Sequence, residues 1–339
     1  MNERYSRQIL FQGIGAEGQH ALSGSRALIV GCGALGSAQA ESLARAGVGR
    51  LRIVDRDFVE ASNLQRQTMF TERDAEERIP KAIAAANHIR DLNSETQTEP
   101  EVADVNHSNI ERLISDCNVV IDGTDNFATR YLINDACVKH ETTWIYGAAV
   151  GSYGVTMTIR PHQTACLRCI FEEAPPAASA PTCDTAGVIM PIISVVAAVQ
   201  VSEALKIMTG HFEELHGALM QFDIWRNEWR KINPGLPSPE CPTCGRGNFE
   251  TLSPSTQEFA AVLCGRNAVQ ISPARRTEVN FSSLAERLQG SGEVKFNDYI
   301  LRFRTGDIEL TVFQDARSII RGTDQITTAR SLYDKYIGN

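Results

Sequence analysis

Residues 26–55 read RALIVGCGALGSAQAESLARAGVGRLRIVD, and the order of residue types in that stretch decides the fold. RALIVG is a short apolar run of strand length. GCGALG follows at once. SAQAESLARAG then has helical spacing and ends at Gly47, a natural C-cap. LRIVD is the next buried strand. Strand, glycine-rich turn, helix and strand make one βαβ unit with the pattern of a parallel sheet.

Downstream the alternation continues. KAIAAANHIRDLN is helical, NVVIDGTD is a strand ending in acidic residues, and ATRYLINDACVKH is helical again. TWIYGAAV and GVTMTIRP are strands, a buried helix is expected near 189–209, and GALMQFDI and EWRKI are two more strands. The expected class is α/β: an open, doubly wound, mostly parallel Rossmann-like sheet, with ligands beyond the carboxyl ends of its strands. FEEAPPAASAPT is rich in Pro and Ala and reads as a mobile loop. ETLSPST marks a boundary, so residues 1–250 form the expected main domain. Residues 257–339 form a small α/β module, with strands AVQI, YILRFR and IELTVF and a last helix TARSLYDKYIG.

Bulk composition narrows the classes. The chain has 339 residues, 42% hydrophobic and 22% charged, which suits a globular protein with a real core. A net charge of -8 disfavours nucleic acid and anionic membrane surfaces as partners. The N-terminus MNERYSRQIL lacks an apolar export segment. The longest apolar run, Val188 to Val199, contains Pro191 and Ser194 and falls short of the roughly 20 residues a spanning helix needs. Nine cysteines without an export signal argue against a disulfide framework and for the cytoplasm.

Gly31, Gly33 and Gly36 let backbone N–H groups approach a phosphate at a helix N-terminus. Asp55 ends the next strand about 20 residues on, placed for ribose hydroxyls, with Asp57 close behind. That spacing fits a nicotinamide enzyme as well as an ATP enzyme. SNLQRQ then supplies Asn63, Arg66 and Gln67, and Lys81 opens a helix after Pro80. An amide, a guanidinium and an ammonium beside a nucleotide suit a triphosphate; a solvated Arg and Lys are the bland alternative. TDN at 124–126 sets Asp125 just past a strand end, where a carboxylate beside a polyphosphate calls for Mg2+. Asp125 and Asn126 are equally good helix caps before FATRYL, and they could divide the two jobs.

Cys166/Cys169 in CLRC and Cys241/Cys244 in CPTC each have the spacing to hold one edge of a tetrahedral Zn2+. The gap of roughly 70 residues is far longer than in a zinc ribbon, so the site would staple two remote segments. A closed four-thiolate site is structural, not catalytic. Cys183 stands alone in PTCDTAGV, either a packed thiol or a nucleophile awaiting activation. Cys32, Cys117, Cys137 and Cys264 read as packing residues. Arg7 in RYSRQI is, by itself, a surface arginine.

Taken together, RYSRQI, the glycine-rich loop, SNLQRQ, PKA, TDN, both cysteine pairs and PTCDTAGV resemble the ThiF/MoeB family of adenylyltransferases, in family order over about residues 1–248. One departure is Ala34, where the family commonly has a further Gly; a helical backbone would tolerate it. The resemblance implies that Asp55 holds the ribose, that Asn63, Arg66 and Lys81 hold the triphosphate of ATP, and that Asp125 holds Mg2+. It implies a homodimer in which Arg7 reaches into the partner's site. It implies a substrate that is a small ubiquitin-like sulfur-carrier protein with a Gly-Gly tail, whose carboxylate becomes an acyl-adenylate. An external sulfur donor, a desulfurase or a rhodanese, would then make the thiocarboxylate. The pathway stays open among thiamine, molybdopterin, thio-tRNA and cysteine synthesis, as does the role of the C-terminal module. The competing readings are an NAD(P)-dependent oxidoreductase, which leaves SNLQRQ and TDN unexplained, and a zinc-stabilised scaffold with a degenerate nucleotide site.

Overall fold

Strand β1 (Arg26–Val30) is buried after its first residue and sits between two parallel neighbours, β2 (Arg50–Asp55) and β4 (Val119–Asp122). The computed structural model describes residues 3–173, 186–253, 259–263 (backbone only), 267–273 and 278–338. It divides into two units, Met1–Ser253 and Pro254–Asn339.

In the first unit, β3 (Gln97–Val102), β5 (Trp144–Val150), β6 (Tyr153–Ile159), β7 (Leu219–Asp223) and β8 (Glu228–Ile232) complete an eight-stranded sheet in the order β3-β2-β1-β4-β5-β6-β7-β8. The pairs from β3 to β5 are parallel, and those from β5 to β8 are antiparallel. From β1 the chain builds outward through β2 and β3, then returns to lay β4 on the other side of β1. The topological switch point therefore lies between β1 and β4, where doubly wound sheets bind ligands.

Among the described residues of this unit the helices are α1 (Ser6–Leu10), α2 (Gly15–Gly24), α3 (Ala34–Ala46), α4 (Glu72–Glu76), α5 (Lys81–Leu92), α6 (Ile110–Ile114), α7 (Phe127–Lys139), α8 (Leu167–Ile170) and α9 (Met190–Met208). Leu22, Leu43, Ala85, Ile89 and Ala204 pack with Ala27, Ile29 and Ile53 on one face of the sheet. Ile110, Leu113, Ile133 and Ala136 pack with Leu28, Val30 and Val120 on the other. Successive residues of β1 thus feed opposite cores, which is why its sequence is continuously apolar. Helix α9 is apolar and long enough to cross a membrane by composition. It is instead a core helix: its buried Gln200 donates to the Ile145 carbonyl at 3.2 Å, and its buried Glu203 accepts from Thr158 Oγ1 at 2.8 Å.

Sequence patterning misses β3, because QTEPEV is polar. It is an edge strand bonded only to β2, where exposure and Pro100 are tolerated.

The second unit is a six-stranded antiparallel sheet, ordered β11-β12-β13-β14-β10-β9: β9 (Phe259–Leu263), β10 (Ala268–Ser272), β11 (Glu293–Phe296), β12 (Ile300–Thr305), β13 (Ile308–Phe313) and β14 (Ser318–Arg321). Helices α10 (Phe281–Leu288) and α11 (Ile326–Tyr336) pack Leu284, Leu288, Ala329 and Tyr333 against Val269, Leu301, Phe303 and Leu310. This unit has its own apolar core. Strands β9, β11 and β14 and helix α10 extend the sequence reading of it.

Candidate functional site

The glycine-rich loop leaves β1 at the switch point and is shaped by contacts that only glycine allows. Gly31 has φ +85, and a Cβ there would lie 2.8 Å from the Gly123 carbonyl oxygen. A Cβ on Gly36 would lie 1.8 Å from the Gly31 oxygen. The loop after β1 and the loop after β4 are therefore in backbone contact, and Gly123 N–H donates to Val30 O at 2.8 Å. Gly33 is the N-cap residue of α3, with open space where its Cβ would be apart from Gln67 Nε2 at 3.9 Å. The first-turn N–H groups of α3 have no intrahelical partner, so this end could hold an anion. Ala34 is the first helical residue, so the missing family glycine costs no strain.

Asp55 closes β2 beside this loop. Its Oδ2 accepts from Cys32 N–H and its Oδ1 from Asp57 N–H, both at 2.6 Å. Burial pushes its carboxyl up, opposed by Lys81. Each carboxylate oxygen keeps a second lone pair, so capacity for ribose hydroxyls remains. Lys81 is 4% exposed. It opens α5 after Pro80, and its Nζ lies 3.4 Å from Asp57 Oδ2. Asn63 and Gln67 are buried as well; Arg66 donates to Asn63 Oδ1 at 2.9 Å and to Ser62 O at 3.1 Å. Gln67 Oε1 is buried with no hydrogen-bond partner, a polar atom next to the phosphate loop awaiting one.

In TDN the cap half of the reading is visible in the structure. Asn126 caps α7 by accepting from Thr129 N–H at 2.9 Å. Asp125 is exposed and meets only a long 3.4 Å contact from Asn126 Nδ2 among the hydrogen bonds described. Beneath them lies a group that sequence reasoning overlooks. Asp122 is fully buried and accepts from Thr124 N–H (2.8 Å), Thr124 Oγ1 (2.7 Å) and Arg130 Nε (3.0 Å). Arg130, also buried, donates from Nη2 to Thr124 O (2.7 Å) and Gly147 O (3.0 Å). Its guanidinium sits over the Phe127 and Tyr146 rings. Gln39 and Gln200 both donate to the Asp122 carbonyl at 3.0 Å, tying α3 and α9 to the same strand end. Arg56 is the other omission. Burial lowers its pKa, but the surrounding Asp57, Asp104 and Asp125 outweigh this and raise it, so Arg56 stays a cation facing all three carboxylates. DGTDNFATR holds the only signal for Arg130: an Arg one helical turn past a cap and eight residues after a strand-ending Asp.

Arg7 is not part of this cluster. It is exposed on α1, and its neighbours Tyr5 and Gln8 attach to the carboxyl end of α3 through Asn93 and Ala46. The glycine-rich loop is at the amino end of that 13-residue helix, about 20 Å away. Cys183 lies outside the described residues, as does Cys264. Cys32 and Cys137 are buried packing thiols, and Cys117 is half-buried.

The two cysteine pairs come together. Cys166 and Cys169 are 3.8 Å apart, Cys166 and Cys241 3.6 Å, and Cys169 and Cys244 3.4 Å, with all four sulfurs within 4.8 Å of one another. A tetrahedral zinc with bonds of about 2.3 Å has sulfur–sulfur edges of about 3.8 Å. The cluster could therefore hold such an ion, and it sews the segment after β6 to the segment after β8. Thr243 Oγ1 and Thr251 Oγ1 both donate to the buried Asp135 of α7, at 2.7 and 2.8 Å, which fixes the second cysteine segment in place.

Comparison with known proteins gives a consistent picture. A model of the ThiF family matches residues 5–243. A Bacillus subtilis (strain 168) protein named "Sulfur carrier protein ThiS adenylyltransferase" is 46% identical over 340 residues, covering 100% of both chains. A "SAMP-activating enzyme E1" of Haloferax volcanii is 38% identical over 250 residues, 74% of this chain and 91% of its own length. An "Adenylyltransferase and sulfurtransferase MOCS3" of Anopheles gambiae is 35% identical across 78% of this chain, which spans 59% of that longer protein. Among solved structures, E. coli MccB with ATP superimposes with a TM-score of 0.63 at 23% identity, covering 72% of this chain and 75% of that one, a likeness of fold.

Proposed function

The chain belongs to the ThiF family, and from that premise we propose that it activates the C-terminal glycine carboxylate of a small ubiquitin-like sulfur-carrier protein with ATP. It is an adenylyltransferase acting on a sulfur carrier, like relatives that match it over most or all of their length. The observation that carries the reading is the grouping at one switch point of a glycine-rich loop, the buried Lys81, Asn63 and Gln67, a half-buried Arg66 and an exposed Asp125. A nicotinamide site has no need of such a polyphosphate cradle.

In this reading a carboxylate oxygen of the carrier attacks the α-phosphorus of ATP. The bond to the bridging oxygen breaks, pyrophosphate leaves with the electron pair, and a carrier acyl-adenylate remains. Asp55 orients the ribose, with Asp57 beside it. Lys81, now held at 3.4 Å from Asp57, turns to the phosphates with Arg66, Asn63 and Gln67. Asn126 holds the loop that presents Asp125. Catalysis is by positioning and charge stabilisation. A bound Mg2+ would neutralise the polyphosphate, and Asp125, little engaged by its own chain, is the carboxylate suited to hold it. Cys166, Cys169, Cys241 and Cys244 hold a structural Zn2+.

Arg7 acts on the site of a second copy. It is about a helix length from its own, and it shares a helical face with Leu10 and Phe11, which are 71% and 65% exposed. Such side chains on one face suit a homodimer contact. Cys183 serves the later sulfur step: the persulfide of an external donor, a desulfurase or a rhodanese, displaces AMP from the acyl-adenylate, and the Cys183 thiolate then attacks the donor sulfur of the acyl disulfide, releasing the thiocarboxylate and leaving a disulfide between Cys183 and the donor. Cys183→Ser then leaves adenylation intact and depresses thiocarboxylate yield. The protein works in the cytoplasm, where cysteine thiolates stay reduced. ATP–pyrophosphate exchange tests the whole: it should require a carrier ending in Gly-Gly, and exchange that is indifferent to the carrier would overturn the reading.

A further inference from the structure

In the motif RYSRQ, Arg4, Tyr5 and Gln8 grip the domain through side-chain hydrogen bonds, and Ser6 and Arg7 do not. Arg4 Nη1 donates to Leu92 O at 2.8 Å. Tyr5 is buried; its hydroxyl donates to Glu95 Oε2 at 3.0 Å and accepts from Asn93 Nδ2 at 2.8 Å. Asn93, with no exposed surface, also donates to Ala44 O at 2.6 Å and accepts from Glu95 N–H at 3.2 Å. Gln8 Nε2 donates to Ala46 O at 2.8 Å and to Gln19 Oε1 at 2.7 Å, and Gln19 Nε2 returns to Ala46 O at 3.0 Å. Even the C-cap of α3 is cut to this fit. Gly47 has φ +82, and a Cβ on it would lie 2.7 Å from the Tyr5 ring and 2.8 Å from Gln19 Nε2. Arg7 is exposed and is the charged side chain of the motif that makes no hydrogen bond or ion pair among the described residues.

We propose that Tyr5, Gln8 and Asn93 are positioning residues for adenylation: they clamp the N-terminal segment to the carboxyl ends of α3 and α5 so that Arg7 is aimed at the phosphates of the partner's ATP. The inference rests on the trans reading of Arg7 given above. A five-residue helix does not hold its own orientation in water. A cation that must reach a remote phosphate therefore needs its base fixed by something else. The clamp supplies that with buried, mutually satisfied hydrogen bonds rather than an apolar plug. Burial, opposed by the Asn93 hydrogen bond and reinforced by Glu95, pushes the Tyr5 phenol up, so it stays a donor to Glu95.

The test uses the full-length protein with its carrier and reads pyrophosphate exchange. Gln8→Ala, and Tyr5→Phe as the milder variant that keeps the ring on Gly47, should each lower exchange roughly ten- to a hundredfold with the melting temperature nearly unchanged. Added to Arg7→Ala, neither should cause further loss. Mixed with Asp125→Ala protein, Gln8→Ala protein should regain activity, because the mixed dimer has one site with an intact Asp125 and a correctly clamped Arg7 from the other chain. Unchanged exchange in both single variants, additive loss on Arg7→Ala, or no regain when an Arg7→Ala and Asp125→Ala mixture does regain activity, would overturn the clamp. If that Arg7→Ala control itself stays inactive with subunit exchange demonstrated, the trans reading of Arg7 has failed, and this is visible before Gln8 is touched.

Discussion

At the residue scale the site is organised by two glycines that touch and two carboxylates that do different work. Gly31 and Gly123 bring the loops after β1 and β4 into backbone contact. Asp122, under that contact, is structural; Asp125, above it, is free to meet a ligand. Asp125→Ala should therefore abolish pyrophosphate exchange while leaving circular dichroism and melting temperature near wild type; near-normal exchange would remove Asp125 from the metal site. The opposite pattern is expected for Arg130→Met, which keeps the packing between Phe127 and Tyr146 but strands Asp122 as a buried charge. Breaking such a pair costs roughly 3–5 kcal/mol, read as a lower denaturant midpoint with an unchanged slope. Adding Asp122→Asn should recover part of it, and an unchanged midpoint in Arg130→Met would refute the structural role. The glycines are visible in sequence because close backbone approach demands that residue type, and Asp55, Asn63, Arg66 and Lys81 stand out there because the proposed nucleotide chemistry asks for those types. Arg130 and Arg56 are not, since a buried guanidinium and a solvated one are spelled the same way until a fold supplies the carboxylate.

At the scale of elements, burial on one or both faces decided what could be read. Strand β1 feeds two cores and is unmistakable in RALIV; β3 feeds neither fully and hides in QTEPEV. In the C-terminal unit β11 and β14 have four residues each, too few for alternation to register, whereas β12 and β13 have six each. The cysteine staple is the clearest case of an element defined by chemistry instead of periodicity. Pairs that repeat a two-residue spacing identify a chelate, although only the structure brings them within 4.8 Å. One equivalent of zinc per chain is expected in reducing buffer. Cys166→Ser, or a strong chelator, should lower the melting temperature more than it lowers exchange at low temperature, because metal binding there is folding free energy. A metal-free protein of unaltered stability would contradict the staple.

At the scale of the molecule, the ThiF match ends at residue 243 and the first unit at Ser253, while the second unit has its own apolar core. The Haloferax volcanii relative aligns over 250 residues and 91% of its length, whereas the Bacillus subtilis relative aligns over the whole chain. Adenylation should therefore reside in the first unit. A chain ending at Ser253 is expected to fold and to retain pyrophosphate exchange, and loss of exchange in a folded truncation would assign the second unit a part in the reaction. Nothing in the sequence of that unit names a role, because its residues build a core and an antiparallel sheet rather than a motif. If a carrier carboxylate becomes an acyl-adenylate, the intact mass of the carrier shows it after incubation with this protein, ATP and Mg2+, with pyrophosphatase present. One adenylyl group per carrier is expected, on the terminal glycine, absent when that glycine is deleted and absent with Asp125→Ala. A carrier that stays unmodified while the protein binds a nicotinamide cofactor and not ATP would contradict it.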